Sequence, residues 1–172
     1  MKKAKPRLKA KPKSKTKTKT RKKAPLFTIG YEQAKPAAVL DEIKAARIDI
    51  LVDTRAVAAS RRPGFSKRQL SASLDEAGVG YIHLQKLGTP AEGREAARAG
   101  DLDTLWRVYD KHLKTADAQQ ELSELVDLVK SGKRVVLLCY CRDPKKCHRS
   151  RIVAQVRKRT GVEVDDLIPP LF

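Results

Sequence analysis

Hydrophobic positions follow the spacing of strands and the spacing of helices in turn along most of the chain. Short, nearly continuous apolar runs predict strands, and apolar residues three or four positions apart predict the helices between them. The predicted strands are Leu26–Gly30, Ile48–Asp53, Val79–Leu84, Lys133–Tyr140 and a short Val162–Val164. The predicted helices are Pro36–Arg47, Ser66–Ala77, one that begins at Asp101, Asp117–Lys130 and Cys147–Thr160, whereas residues 91–100 give no clear pattern.

The alternation of apolar strands with amphipathic helices is typical of an α/β domain, because strands buried on both faces need helices packed against both. We therefore predict an α/β fold with a mostly parallel sheet of four to five strands and helices on both faces. A single domain over residues 26–172 accommodates all of these elements. The pattern does not give the order of the strands.

The first 25 residues have a different composition. They contain 13 of the 38 lysines and arginines and no acidic residue, whereas residues 26–172 contain 25 basic and 20 acidic residues. A segment with so few apolar side chains cannot offset the entropy lost on folding, so we predict that residues 1–25 form a disordered lysine-rich tail. Most of the formal net charge of +18 belongs to this tail.

A run of positive charge attracts polyanions by releasing their counterions. Residues 1–25 therefore favour association with DNA or RNA, and the absence of aromatic residues among them predicts binding without sequence preference. The alternative interpretation is a solubilising or spurious extension.

Two further features bear on where the protein resides. The chain has no apolar run near the ~20 residues of a membrane span, and its three clustered cysteines do not resemble a secreted disulfide framework. We predict a cytosolic protein that does not bind membranes, with an oligomeric state that the sequence leaves open.

Polar and charged residues follow the ends of the predicted strands, which is where ligands bind in folds of this class. Guanidinium groups bind phosphate and carboxylate in bidentate geometry. We predict an anion-binding set of arginines and an orienting set beside it. The first set is Arg55, Arg61, Arg62 and Arg149, and the second is Asp53, Ser60 and Tyr31. Taken singly, Arg61 and Arg62 also fit solvated loop charges.

All three cysteines of the chain lie between residues 139 and 147, where the fourth predicted strand gives way to the last long helix. A thiol at a helix start has a lowered pKa and more of the nucleophilic thiolate. We predict Cys147, or Cys139 in its place, as a catalytic thiol, with His148 as a base or an orienting partner.

Other interpretations of these residues stay open. Cys139 also fits a core position, and Asp53 with Arg55 also fits a structural ion pair. Four candidate ligands for zinc or iron lie close together: Cys139, Cys141, Cys147 and His148. Their spacing matches no usual zinc pattern, and the side chains of the two adjacent residues are expected to point apart. We therefore predict no metal. No phosphate-binding glycine motif occurs, so we predict no cofactor either.

Five motifs together resemble those of a known family. They are Thr28-Ile-Gly-Tyr31, Val52-Asp-Thr-Arg55, Ser60-Arg61 with Pro63-Gly-Phe65, Tyr81-Ile-His-Leu84 with Leu87-Gly88, and Leu138-Cys139 followed by Cys147-His148-Arg149. With them the body of the chain resembles the domain-of-unknown-function 488 family. The resemblance implies an α/β fold with the Asp-x-Arg, Ser-Arg and Cys-His-Arg elements around one pocket, and it implies no particular activity.

The sequence leaves two functions open. In the first, the domain binds a small anionic or nucleotide-like ligand at the strand ends and uses a thiol for catalysis. In the second, a non-enzymatic protein binds DNA or RNA through its basic tail. The residues do not identify a substrate or a reaction.

Overall fold

The computed structural model describes residues 24–171, so nearly all of the predicted tail lies outside the described residues. The strands are β1 (Leu26–Gly30), β2 (Ile50–Asp53), β3 (Gly80–His83), β4 (Val135–Cys139) and β5 (Val164–Leu167). The helices are α1 (Pro36–Ala45), α2 (Lys67–Glu76), α3 (Ala91–Ala99), α4 (Leu102–His112), α5 (Ala116–Lys130) and α6 (Arg149–Thr160). Two short 3-10 turns span Gln85–Leu87 and Pro144–Lys146.

The five strands form one parallel sheet in the order β3-β2-β4-β1-β5. The apolar runs of β1, β2 and β4 occupy the three central places, where both faces are covered. The half-buried β3 and β5 lie at the edges. The predicted α/β fold with a mostly parallel sheet is confirmed.

Side chains that alternate along the central strands contribute to two hydrophobic cores, one on each face of the sheet. Val52, Val135 and Leu137 point to one face of the sheet and pack with apolar residues of α4, α5 and α6. Leu51 and Val136 point to the other face, where they pack with residues of α1 and α2. The predicted placement of helices on both faces is therefore confirmed.

Three elements differ from the sequence-based expectation. The fifth strand spans Val164–Leu167 rather than Val162–Val164, because its pairing with β1 begins at Leu26 and Val164. Residues 91–99, which gave no clear pattern, form α3 against α4, and only Gly93 and Ala96 of this helix are buried. Two small residues are too few to produce an apolar stripe. The last helix begins at Arg149 rather than Cys147, because Cys147 has an extended backbone and the following residue is the N-cap.

Within residues 24–171, none of the helices combines the length and the hydrophobicity needed to cross a membrane.

Candidate functional site

The candidate site lies where β1, β2 and β4 end, and its residues belong to the two opposite faces of the sheet. By strand alternation, Thr28, Thr54 and Cys139 face α6, which begins directly after Cys147 and His148. The residues Asp53, Arg55 and Tyr31 form a separate cluster on the α1 and α2 face. A cavity opens over the strand ends and reaches both clusters.

The sulfur atoms of Cys139, Cys141 and Cys147 lie within 4.8 Å of one another. Cys139 and Cys147 are buried, Cys141 is half-buried, and all three are free thiols. The loop that carries Cys141 crosses close over the end of β1, where a Cβ atom on Gly30 would overlap the Cys141 carbonyl group. Glycine at position 30 therefore permits the approach that brings the three sulfur atoms together.

The ring of His148 has one orientation that satisfies its neighbours. Its Nε2 lies 3.0 Å from the carbonyl oxygen of Thr54, which can only accept a hydrogen bond. Nε2 therefore carries a proton, and Nδ1 faces the sulfur atoms of Cys139 at 3.6 Å and of Cys147 at 3.7 Å. The ring of Tyr109 packs edge-on against the imidazole at 5.4 Å between centroids.

Arg149 is a cation that is only 1 % exposed. Its Nε donates to the Cys147 sulfur at 3.2 Å, and its two terminal nitrogens donate to Thr28 Oγ1 at 3.3 Å and to the Cys141 carbonyl at 2.6 Å. None of these acceptors is a carboxylate, and Asp166 lies one hydrogen bond further away behind Thr28. A buried cation is costly without an anion beside it, so this position favours a thiolate at Cys147.

The charges of the cluster follow from these contacts. Burial opposes ionisation of Cys147, but hydrogen bonds from Cys139 and Cys141 and the charge of His148 lower its pKa well below the ordinary value. Burial also opposes the imidazolium, but the negative sulfur charges beside it raise the pKa of His148 well above the ordinary value. Hydrogen bonds to its two neighbouring thiols raise the pKa of Cys141, which keeps its proton. These shifts favour a thiolate at Cys147, an imidazolium at His148 and a protonated thiol at Cys141.

The predicted helix-dipole effect on Cys147 stays a prediction. The residue lies directly before the N-cap of α6, and its backbone N–H donates to the Pro144 carbonyl. The expected divergence of the Cys147 and His148 side chains is wrong, since Nδ1 and Sγ come within 3.7 Å.

On the other face, Arg55 and Asp53 form a buried bidentate ion pair. Arg55 Nε and Nη2 donate to the two carboxylate oxygens at 2.8 and 2.6 Å, while Nη1 donates to Tyr31 Oη and to the Phe65 carbonyl. Burial opposes the charge, but Asp53 raises the pKa of Arg55 above its ordinary value. Because four of its five N–H groups are engaged, Arg55 holds the loop after β2 in place more than it offers itself to a ligand.

The other predicted residues occupy the mouth of the cavity. Arg62 donates to the Tyr31 and Ala34 carbonyls, and its backbone N–H donates to Ser60 Oγ at 3.1 Å. Arg61 is exposed and lines the cavity. Arg149 does not line it and instead contacts the Cys147 sulfur. The predicted anion-binding, orienting and catalytic roles remain predictions, and the structure adds that Cys139, Cys147 and His148 line the cavity together.

The cavity has a volume of about 790 Å³ and a basic lining. Glu32 is the one acidic side chain among its described lining residues, against six arginines and lysines: Arg55, Arg61, Arg62, Arg94, Arg98 and Lys146. Sequence reasoning missed Arg94 and Arg98 on α3, because that segment lacked an apolar pattern. The spacing of four between two arginines was the signal available, since it places both on one side of a helix. Sequence reasoning also missed Thr54, whose carbonyl oxygen accepts a hydrogen bond from His148 Nε2 and so orients the imidazole.

Within the described residues, the three sulfur atoms form the one cluster compact enough to share a metal ion. Arg149, which is always charged, already points at the Cys147 sulfur, with Nε at 3.2 Å. Its positive charge opposes the approach of a further cation. The donor set therefore fits thiolate chemistry better than metal coordination.

Comparisons with known proteins identify the family of the chain. Comparison with curated proteins gave no match. The model of a protein family described as Domain of unknown function DUF488 matches residues 35–156, which include the Asp53–Arg55 pair, the three cysteines and Arg149. This match spans well over half of the chain, so the protein belongs to the DUF488 family.

Proposed function

We propose that the protein is a thiol-dependent enzyme that acts on a small anionic substrate, with Cys147 as the nucleophile. The observation that carries the proposal is the pair of nitrogen groups in contact with one buried sulfur, His148 Nδ1 at 3.7 Å and Arg149 Nε at 3.2 Å. Such neighbours favour the thiolate, which is the reactive form of cysteine. A purely structural core cysteine has no need of them.

The substrate class is supported by the lining of the cavity. Arg61, Arg98 and Lys146 are exposed at its mouth, and Arg94 is half-buried beside Thr89, to whose carbonyl it donates at 2.8 Å. Basic groups around a concave site raise the local concentration of anions. A cavity of about 790 Å³ suits a small organic molecule.

The test is the pH dependence of Cys147 alkylation by iodoacetamide, followed on the tryptic peptide of residues 147–149. We expect a midpoint clearly below the ordinary thiol value of about 8.5. The His148→Gln variant should move the midpoint upward, because the imidazolium is then lost. A wild-type midpoint at or above about 8.5 would contradict the proposed nucleophile.

A second proposal concerns the basic tail, and composition supports it. Residues 1–25 contain 13 cations and no anion. We propose that this segment binds DNA or RNA through phosphate contacts and holds the domain near nucleic acid. Binding that is lost when residues 1–25 are deleted would support this role, and unchanged binding would assign the affinity to the domain.

A further inference from the structure

We propose that the substrate is a small anionic disulfide. Cys147 attacks it to give a mixed disulfide, which Cys139 then resolves by forming a Cys139–Cys147 disulfide. This inference rests on the proposed nucleophile and adds to it the reaction, the substrate class and a second reacting thiol. The juxtaposition that carries it is the presence of two further thiols within 4.8 Å of the Cys147 sulfur in one cavity. A thiolate that only transferred a group would need no second thiol at that distance.

Cys139 is the resolving thiol because of its contact with His148. The Cys139 and Cys147 sulfur atoms lie at almost the same distance from Nδ1, at 3.6 and 3.7 Å, so one ring nitrogen serves both in turn. Cys141 has no such base beside it, and its carbonyl is held by Arg149. A disulfide bond of about 2.05 Å between Cys139 and Cys147 requires closure from a separation of less than 4.8 Å.

The proton and electron balance closes within the cluster. The Cys147 thiolate attacks one sulfur of the substrate R–S–S–R′, the S–S bond breaks, and R′S⁻ leaves with the proton of His148 Nδ1 as R′SH. The now neutral Nδ1 takes the proton of Cys139, whose thiolate attacks Cys147 Sγ and releases RS⁻, which leaves with that proton as RSH. The substrate has gained two electrons and two protons, and the protein holds a disulfide that an external dithiol reduces.

The substrate class follows from the size and charge of the cavity. A volume of about 790 Å³ exceeds what a peroxide or an inorganic oxyanion occupies and accommodates an organic disulfide. The exposed Arg61, Arg98 and Lys146 at the mouth favour carboxylate or phosphate groups on that disulfide. Val57 and Tyr140, which are 53 % and 47 % exposed, supply apolar surface at the same opening.

The probe for this reaction is 5,5′-dithiobis(2-nitrobenzoic acid), a disulfide with two carboxylates whose released thiolate absorbs visible light. The Cys141→Ser variant leaves only the two thiols of interest. It should release two equivalents of thionitrobenzoate and end as a Cys139–Cys147 disulfide without an adduct. The Cys139→Ser, Cys141→Ser double variant should release one equivalent and keep the adduct on Cys147. Circular dichroism should confirm that both variants are folded.

The full-length wild-type protein provides the same answer without substitution. After reaction with the probe, trypsin should yield the peptide of residues 135–142 linked to the peptide of residues 147–149, and fragmentation should assign the link to Cys139. A stable adduct on Cys147 in both Cys141→Ser and wild type would overturn the resolving role while leaving the nucleophile intact. Absence of reaction at Cys147 would overturn the nucleophile itself. Stoichiometric zinc bound to the three cysteines of freshly purified protein would also overturn the proposal.

A separate experiment tests the anionic character of the substrate. The rate with the dicarboxylate probe, relative to neutral 2,2′-dithiodipyridine, should fall about tenfold in Arg98→Glu. The Arg68→Glu variant changes an exposed charge on α2 that does not line the cavity, and its ratio should match that of wild type. An unchanged ratio in Arg98→Glu would overturn the assignment of an anionic substrate.

Discussion

At the residue scale, the central fact is that Cys147 and Arg149 are each about 1 % exposed and touch each other. A buried guanidinium without an anion costs several kcal/mol, and a thiolate at Cys147 offsets part of that cost without a carboxylate. Burial opposes the charge of His148, but the sulfur atoms of Cys139 and Cys147 raise its pKa and so favour the imidazolium. Three adjacent residues therefore define one electrostatic unit, in which the charge of each supports the charge of the others.

This unit predicts how Cys147→Ser changes stability. A serine hydroxyl keeps its proton, so Arg149 and His148 lose their anion and the free energy of unfolding should fall by about 3 kcal/mol near neutral pH. Cys141→Ser is the matched control, because Cys141 keeps its proton in the folded protein. Urea titrations of both variants and wild type measure the difference. Equal losses in the two variants would contradict the thiolate.

The pH dependence of stability follows from the two opposite shifts. The depressed pKa of Cys147 gives stability that is complete above the unfolded value of about 8.5 and is lost as the pH falls through the folded value. The raised pKa of His148 gives stability that is complete below about 6.5 and is lost as the pH rises through the folded value. The pair therefore stabilises most between these limits. Cys147→Ser should lack the decline that wild type shows above about 8.5.

At the element scale, the ends of β1, β2 and β4 are held together by polar contacts. The loop after β4 is tied to β1 by hydrogen bonds from the Glu32 N–H to the Tyr140 carbonyl at 2.8 Å and from the Arg142 N–H to Glu32 Oε2 at 3.0 Å. The loop after β2 is tied by Arg55, which spans Asp53, Tyr31 and Phe65. Residues of both loops line the cavity, so their anchors set its shape.

The Asp53–Arg55 pair should therefore be costly to break. Asp53 is fully buried and also accepts a hydrogen bond of 2.6 Å from Tyr81 Oη, whose pKa is raised by burial and by this bond. Asp53→Asn leaves Arg55 buried without its counter-charge and should lower the free energy of unfolding by about 3–5 kcal/mol.

The control for Asp53→Asn is an ion pair of the same charges whose side chains are exposed to solvent. Glu92 and Arg107 form an ion pair of 3.3 Å whose side chains are 65 % and 68 % exposed. Because solvent screens such a pair, Glu92→Gln should change the free energy of unfolding by less than about 1 kcal/mol. Chemical denaturation of both variants decides the matter, and comparable losses would mean that burial does not govern the Asp53 pair.

The strands and most helices could be predicted because their buried positions produce a periodic pattern of apolar residues in the sequence. β4, with five consecutive buried residues, is the clearest case, whereas α3 buries only Gly93 and Ala96 and leaves no such trace. The gathering of Cys139 and Cys147 at one strand end could also be anticipated. The donors that engage Arg55 could not, because the Tyr31 hydroxyl and the Phe65 carbonyl reach it only through the tertiary fold.

At the scale of the whole molecule, two basic regions bear on the proposed functions. Residues 1–25 hold 13 basic residues, and the mouth of the cavity adds a second basic region with Arg61, Arg98 and Lys146. The two regions favour ligands of different size, since a long polycation binds polyanions and a cavity admits one small molecule. Salt separates their contributions, because many phosphate contacts weaken far more steeply with salt than a few contacts in a pocket do.

Deleting residues 1–25 should separate the two activities. The full chain should lose about 10³-fold or more of its affinity for double-stranded DNA between about 50 and about 200 mM salt, as expected for six or more phosphate contacts. The deletion variant should show little binding even at the lower salt, while the midpoint of Cys147 alkylation and the denaturation curve stay unchanged. A variant with the 25 residues in shuffled order is the matched control and should bind as wild type does, because phosphate contacts do not read sequence. Loss of thiol reactivity on deletion would show instead that the tail contributes to the site, and a shuffled tail that fails to bind would show that its order matters.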